Sequence, residues 1–384
     1  MYRFVKATYL TAALVALPSI VSAQSAESTT QGFTLVWQDL FDGTELNRNR
    51  WNIEVNGAGG GNNELQYYTD RTENVRVEDG CLVLTARREQ YLGKHFTSGR
   101  INSKNLIAFT HGMLEASIKI PKTANGLWPA FWMMGNDYDE VGWPKCGETD
   151  ILEMGNAEGI SAGSQERFFN GACHWGLKWP AASYAKSSTH RYSLQDGEFH
   201  LFTVVWDENS IIMYVDRDKY PAYGPYYKID CPQNKPDNEW SAGNYFHKDN
   251  FILFNLAVGG DFTGIHQAEN ITGLNDANGH EASMYVDYVK IYQKGVDSEH
   301  QSFGDAGDDV QDGIVSVESS ADDSFEIICD GDALVTRSGE LSLFTPAGRC
   351  VAKSAAGRIN ISGLTSGVYL AKNRQSTRKV LIKH

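Results

Sequence analysis

The apolar runs between Thr34 and Gln293 are short, rich in β-branched and aromatic residues, and closed off by glycine, asparagine or aspartate. Strands satisfy that pattern and helices do not. Leu82–Ala86, Leu114–Ile120, Phe199–Trp206 and Ile211–Asp216 are runs of this kind, several of them alternating apolar and polar residues with period two. Asp79-Gly80 and Asp207-Glu208-Asn209 supply turn chemistry between them. Sustained helical periodicity is hard to find. With nine Trp, eighteen Tyr and seventeen Phe, the chain has the bulk to fill the space between two sheets. We therefore expect an all-β chain built as a double-sheet sandwich with long loops.

One stretch departs from simple alternation. Cys146-Gly147-Glu148-Thr149-Asp150-Ile151-Leu152-Glu153-Met154-Gly155 threads three carboxylates through an apolar run. In a regular strand Glu148 and Asp150 share a face, while Glu153 points to the other. A β-bulge at Ile151 or Leu152 shifts the register by one and brings Glu153 round beside them. Alternate strand positions lie roughly 6.5–7 Å apart, so outer carboxyls that lean inward approach the ~5–5.5 Å of a retaining glycosidase pair. On that reading Glu148 is the nucleophile and Glu153 the acid/base. Asp150, between them, holds or shares a proton and raises a neighbour's pKa by like-charge repulsion. An exposed acidic strand edge is the plainer alternative, because the pattern is short.

The surroundings favour chemistry. Gly126-Leu127-Trp128-Pro129-Ala130-Phe131-Trp132-Met133-Met134-Gly135 and Gly142-Trp143-Pro144-Lys145-Cys146 lead into the acids. Asn62-Asn63-Glu64-Leu65-Gln66-Tyr67-Tyr68-Thr69, Ser98-Gly99-Arg100-Ile101, Phe254-Asn255-Leu256-Ala257-Val258-Gly259-Gly260 and Val286-Asp287-Tyr288-Val289-Lys290-Ile291-Tyr292-Gln293 complete the set. In this order, from Thr34 to Gln293, the motifs resemble the bacterial family 16 glycoside hydrolases, and in particular the laminarinases with the five-residue acid spacing. The resemblance implies a β-jelly roll with substrate lying across the concave face of one sheet. It implies that Trp128 and Trp132 line the cleft rather than the core, and that Asn63 and Arg100 contact sugar rather than solvent. His174 resembles a family histidine near the acid/base, against the alternative of a packed or solvated residue. Asn255, the polar residue in an otherwise apolar run, is expected to face the cleft and bond a sugar hydroxyl, since a buried amide needs a partner. A structural Ca²⁺ is implied on the opposite face, held by Asp287 and backbone carbonyls near Gly80. No phosphate loop, nucleotide fingerprint or zinc signature is present.

The implied activity is secreted endo-hydrolysis, with retention, of β-1,3 (laminarin-type) or mixed β-1,3/1,4-glucan. Agar and carrageenan are also taken by relatives of this kind. A non-catalytic jelly roll acting as a β-glucan-binding lectin is the rival class, but it would lose an acid, and all three are present. The formal charge of −14 is concentrated: between Lys294 and Arg337 there are twelve Asp or Glu and no Lys or Arg. The remainder is close to neutral. That gives no reason to expect nucleic acid or a polyanion as partner, and it better suits a neutral polymer such as a glucan; a monomer is expected.

The ends of the chain carry addresses. Residues 1–23 read as a signal peptide, with Arg3 and Lys6, an apolar stretch interrupted by Pro18, and Val21-Ser22-Ala23 before Gln24. Export would place six cysteines in an oxidising compartment. Bridges between Cys146 and Cys173 and between Cys329 and Cys350 are plausible, although spacing cannot fix connectivity. We divide the rest into a catalytic domain at 24–296, an acidic linker at 297–324 and a small β-domain at 325–384. The last resembles the C-terminal sorting domains of type IX secretion substrates. A carbohydrate-binding module is the rival there, but no tryptophan follows Trp240 to build a sugar-binding face.

Overall fold

The computed structural model describes residues 32–308 apart from Pro236, together with segments between 327 and 382. The expected signal peptide lies outside the described residues, as do positions 309–324 of the expected linker. Among the described residues no helix is long and apolar enough to cross a membrane.

The expected strands form, as Cys81–Tyr91, Gly112–Lys119, His200–Trp206 and Ser210–Val215. They belong to a ten-stranded sheet in which Gly112–Lys119 and Glu281–Gln293 lie side by side at the centre. A nine-stranded sheet carries the three acids and the tryptophans Trp128 and Trp132. Its strands run in the order Ala182–Thr189, Phe168–Trp175, Glu148–Met154, Leu127–Gly135, Asn250–Val258, Arg100–Asn102, Asn52–Ile53. The two sheets enclose one core. Leu82, Leu84, Leu114, Ala116, Ile118, Met284 and Val286 from the first meet Phe131, Met133, Ile252, Phe254, Leu256 and Val258 from the second.

The pleat divides the nine-stranded sheet into two surfaces, since successive side chains take opposite faces. In Asn250–Val258 the even-numbered apolar residues enter the core, while Phe251 and Leu253 join Met134 and Cys146 in a second cluster with Trp132 and Trp143 packed on it. Leu127–Gly135 divides likewise: Leu127, Phe131 and Met133 face inward, and Trp128, Trp132 and Met134 face out into a groove. A strand buried on both sides therefore reads as continuously apolar.

The first part of the expected linker is structured. His300–Phe303 pairs with Ile107–Thr110 and extends the nine-stranded sheet. Beyond it, Asp305 and Asp308 close on Arg50 at 2.7 and 2.8 Å, and Asp308 also accepts from the Leu40 N–H. Acidic composition suggested solvation here, but two of the acids neutralise a buried guanidinium. The boundary expected at 297 therefore lies beyond 308.

Farther on, Ile327–Cys329, Ala333–Thr336 and Arg358–Asn360 form a three-stranded sheet, and Cys350–Ser354, Leu341–Phe344, Gly367–Lys372 and Thr377–Ile382 a four-stranded one. Leu334, Leu341, Leu343, Ile359, Tyr369, Ala371 and Val380 make a core distinct from that of the large sandwich. Neither expected bridge forms: Cys146 and Cys173 are buried free thiols, and Cys350 is free and exposed. Cys146 packs with Met134 and Phe251, whereas Cys173 turns into the main core and lies 3.8 Å from the Thr149 hydroxyl. The turn before Glu148–Met154 and the strand Phe168–Trp175 thus send the two thiols into different clusters.

Candidate active site

The strand Glu148–Met154 is pinned at both ends by glycines that no other residue could replace cheaply. Gly147 (φ +76) and Gly155 (φ +93) are in the left-handed region, and a Cβ on Gly155 would lie 2.0 Å from the Leu127 carbonyl oxygen. Between them the bulge forms where the carboxylate spacing requires it. Against Leu127–Gly135, Leu152 pairs with Phe131 and Asp150 with Trp132, leaving Ile151 as the extra residue. The ladder to Phe168–Trp175 slips at the same place, with Asp150 opposite Ala172 and Glu153 opposite Asn170. Ile151 and Leu152, adjacent in sequence, therefore both enter the core, and Glu148, Asp150 and Glu153 all line the groove.

The groove encloses about 1140 Å³ and is walled by Trp128, Trp132, Trp143, Trp179 and Arg100 as well as the acids. Each outer glutamate receives an indole N–H: Trp128 donates to Glu153 Oε1 at 3.1 Å, and Trp143 donates to Glu148. Burial pushes all three carboxyls up, Glu148 to about 7, Glu153 to about 8 and Asp150 well above its ordinary value. The secondary causes separate the outer pair. After burial, the Trp143 hydrogen bond and the Arg100 charge pull Glu148 back down, whereas the Glu148 charge drives Glu153 further up before the Trp128 hydrogen bond opposes it. Asp150 feels both neighbours. The cluster shares its protons, with Glu148 the easiest of the three to ionise and Glu153 suited to hold a proton near neutrality. Such a division between two carboxyls is what acid-assisted displacement at a glycosidic carbon needs.

His174 stands opposite Glu148 in the ladder, its Nε2 3.5 Å from Asp150 Oδ2. Burial holds its pKa down, so a neutral imidazole faces a largely protonated carboxyl. Among the described residues, Glu148, Asp150 and His174 are the one set of side chains close enough to share a metal ion. Carboxyls held toward their neutral form are poor cation ligands, because ligation requires the charged form.

Arg100 lines the groove, gripped by Glu54 at 2.9 Å and lying over the Trp132 ring at 4.9 Å. Trp128 stacks on Phe262 at 4.5 Å. Two expected contact residues are engaged by protein groups instead. Asn255 is 5 % exposed, beneath the groove wall, and its Oδ1 accepts from Trp132 Nε1 at 2.8 Å. The buried amide does have a partner, but it is an indole of the wall. Asn63 is exposed and donates to Asp261 Oδ2 at 2.9 Å, while Asn62 and Asp261 form the wall. Trp143, Glu54, Trp179 and Asp261 were not singled out as site residues from the sequence. Trp143 stands close enough to the acids, in Gly142-Trp143-Pro144, to have been a candidate. On the opposite face, Val286 pairs with Leu82, so Asp287 falls level with Cys81 and beside the Asp79-Gly80 turn. The two residues implied for calcium are thus neighbours.

The proton cluster has a cost that can be measured. A carboxyl whose folded pKa lies above its unfolded value keeps a proton in the native state that the unfolded chain releases. Stability then falls as pH rises from about 4.5 to about 8. Glu153→Gln is expected to raise stability, and with it Tm, relative to the parent at pH 8, by about 1–2 kcal/mol of unfolding free energy, a reduction from the full shift because the carboxyl opens on the groove. The gain should vanish at pH 4. Thermal melts of both proteins across this range check it, and a pH-independent difference would contradict it.

A β-sandwich whose groove holds buried, proton-sharing carboxyls between tryptophans defines the class of carbohydrate-cleaving proteins. The model of the glycosyl hydrolases family 16 matches residues 62–238. The chain is 32 % identical over 284 residues to glucan endo-1,3-beta-glucosidase A1 of Niallia circulans, a match covering 68 % of this chain and 38 % of that protein. It thus spans well under half the length of that relative. It is 31 % identical to the beta-glucanase of Rhodothermus marinus, over 67 % of this chain and 85 % of the other. The Bacteroides ovatus mixed-linkage-glucan family 16 structure, solved with a G4G4G3G product, superposes with a TM-score of 0.58 and 39 % identity, covering 67 % of this chain and all of that one. The chain belongs to glycosyl hydrolase family 16.

Proposed function

We propose that this chain is a secreted, retaining endo-β-glucanase that hydrolyses internal β-1,3 linkages in laminarin-type or mixed β-1,3/1,4-glucan, acting as a monomer. The observation that carries the reading is the bulge at Ile151, which sets Glu148, Asp150 and Glu153 on one wall of a tryptophan-lined groove. Glu148, the most readily ionised, attacks the anomeric carbon. Glu153 protonates the leaving oxygen and then activates water. Asp150 and the neutral His174 hold the shared proton between them. Trp128 and Trp132 offer flat faces to sugar rings, and Arg100 offers N–H donors to hydroxyls.

The relatives named for β-1,3-glucan and for mixed-linkage glucan support both substrates equally. Reducing-sugar release from laminarin, barley β-glucan, agarose and carrageenan in parallel separates them. Turnover of the last two alone would overturn the glucanase reading, and binding of glucan without hydrolysis would favour a lectin.

The C-terminal strands are proposed as an export address for type IX secretion machinery, following a signal peptide. Truncation should be made after Asp308 rather than after Gln293, since the shorter cut removes His300–Phe303 and the carboxylates on Arg50. The truncated form is expected to keep its rate on soluble glucan and to accumulate in the periplasm of the native host. Normal export, with activity weakened on insoluble glucan alone, would identify a carbohydrate-binding module instead. A structural Ca²⁺ is proposed at Asp287 with carbonyls around Gly80, where oxygen donors suit a hard cation. A Tm lowered by chelator and restored by calcium is the expected result, and a Tm indifferent to both would dismiss the site.

A further inference from the structure

The bulge that turns Glu153 into the groove leaves its extra residue outside the regular ladder. The carbonyl of that residue needs a partner from somewhere other than the neighbouring strands. Ile151 finds it across the sandwich: the Tyr226 hydroxyl donates to the Ile151 carbonyl oxygen. Tyr226 is 5 % exposed and precedes the strand Tyr227–Asp230 of the opposite, ten-stranded sheet. Its own N–H bonds Met213 O at 3.0 Å, and its ring packs edge-on against Phe169 with centroids 4.8 Å apart.

The strand beside the bulge is shaped to admit this ring. Ala172 pairs with Asp150 and Asn170 with Glu153, so Gly171 faces the two-residue segment Ile151-Leu152. A Cβ on Gly171 would come within 2.9 Å of Tyr226 Cε2 and 3.0 Å of the Met213 sulfur. Gly171 is not among the positive-φ residues, so the space it leaves, rather than its backbone, accounts for the glycine. We propose that Tyr226, seated in that space, is a positioning residue that fixes the bulge at Ile151 and with it the separation of Glu148 and Glu153. The proposal rests on the reading of those two glutamates as the reacting pair.

A bulge not held at its carbonyl can spread its extra residue along the strand, and a displacement of about 1 Å at reacting groups costs roughly 10²-fold in rate. Tyr226→Phe keeps the ring and deletes the hydroxyl. Its kcat on soluble glucan should fall by roughly 10- to 100-fold with KM within about twofold of the parent. The alkaline limb of its pH profile should move to lower pH, because a wider pair weakens the repulsion of Glu148 on Glu153. Gly171→Ala, which leaves the hydroxyl but crowds the ring, should change kcat and the alkaline limb in the same directions. Tyr245→Phe is the control: it removes another hydroxyl from a buried ring, one that donates to Glu239 O at 2.6 Å and not to the bulge, and should keep the parental kcat and pH profile.

A Tyr226→Phe protein that loses only thermal stability, with kcat and alkaline limb like those of Tyr245→Phe, overturns the proposal. If that variant does not fold, a parental kcat and pH profile in Gly171→Ala overturns it equally. Glu148→Gln, run alongside, separates failures: turnover retained there defeats the assignment of the pair, whereas turnover lost there with Tyr226→Phe unaffected defeats the lock alone.

Discussion

Glu148→Gln is expected to lower turnover of soluble β-glucan by roughly 10⁴-fold or more, about 5.5 kcal/mol of transition-state stabilisation, while leaving the fold and oligosaccharide affinity close to those of the parent. The amide has the size of the carboxyl and can still accept the Trp143 N–H, so the groove keeps its shape. What it lacks is a charge to attack carbon and form the glycosyl-enzyme intermediate. The substitution also removes the charge that drives Glu153 upward, so the remaining acid should titrate lower. Steady-state rates, calorimetric binding of a glucan oligosaccharide and the melting curve together check the expectation. Substantial turnover in the variant would move the nucleophile elsewhere. For the parent, proton NMR of the first product should reveal the β-anomer, and an initial α-anomer would contradict a retaining pair.

This expectation was largely legible before any coordinates, because the constraint is local. Glu148 and Glu153 are five residues apart, alternation has period two, and three carboxylates in an apolar strand are costly unless they share a solvent-facing surface. Only an extra residue reconciles these facts, and Ile151 is that residue in the ladder to Leu127–Gly135. Trp128 and Trp132 were legible for the same reason, since four residues along a strand return to one face. The readings that went astray concern partners far away in sequence. Asn255 was recognised as a buried amide in need of a hydrogen bond, but that Trp132 lies across the ladder to provide it depends on long-range register. Cys146 lies in the turn before Glu148–Met154 and packs with Met134 and Phe251, whereas Cys173, on the neighbouring strand, enters the main core, a consequence of long-range packing rather than of spacing.

The acidic segment teaches a related lesson. Charge density between Lys294 and Arg337 argued for a solvated linker, since such composition cannot bury enough apolar surface to fold by itself. Asp305 and Asp308 need no core of their own, because Arg50, about 255 residues earlier, supplies the countercharge. Nothing local announces such a pairing. Tyr226 belongs to the same category: its target, the Ile151 carbonyl, is visible only when the two sheets are stacked.

Glu153→Ala is the variant whose effect should depend most on the substrate. On polysaccharide, where the leaving group is a poor alcohol, loss of the acid is expected to cost roughly 10²–10⁴-fold. On an aryl glycoside with a good leaving group, such as a dinitrophenolate, the first step needs little protonation and should proceed near the parental rate. The second step then becomes slow, because no base activates water. Added azide needs no base, so it should restore turnover and yield a β-glycosyl azide, retention again being the signature of a covalent intermediate on Glu148. In the parent, kcat/KM on polysaccharide should fall as pH rises through about 8, where Glu153 loses its proton. In Glu153→Ala, glycosylation by the activated substrate should lose that alkaline limb. Equal losses on both substrates, with no azide adduct and an unchanged alkaline limb, would assign Glu153 a structural role. In that event the Trp128–Glu153 hydrogen bond, rather than proton transfer, would be the reason a carboxyl stands there.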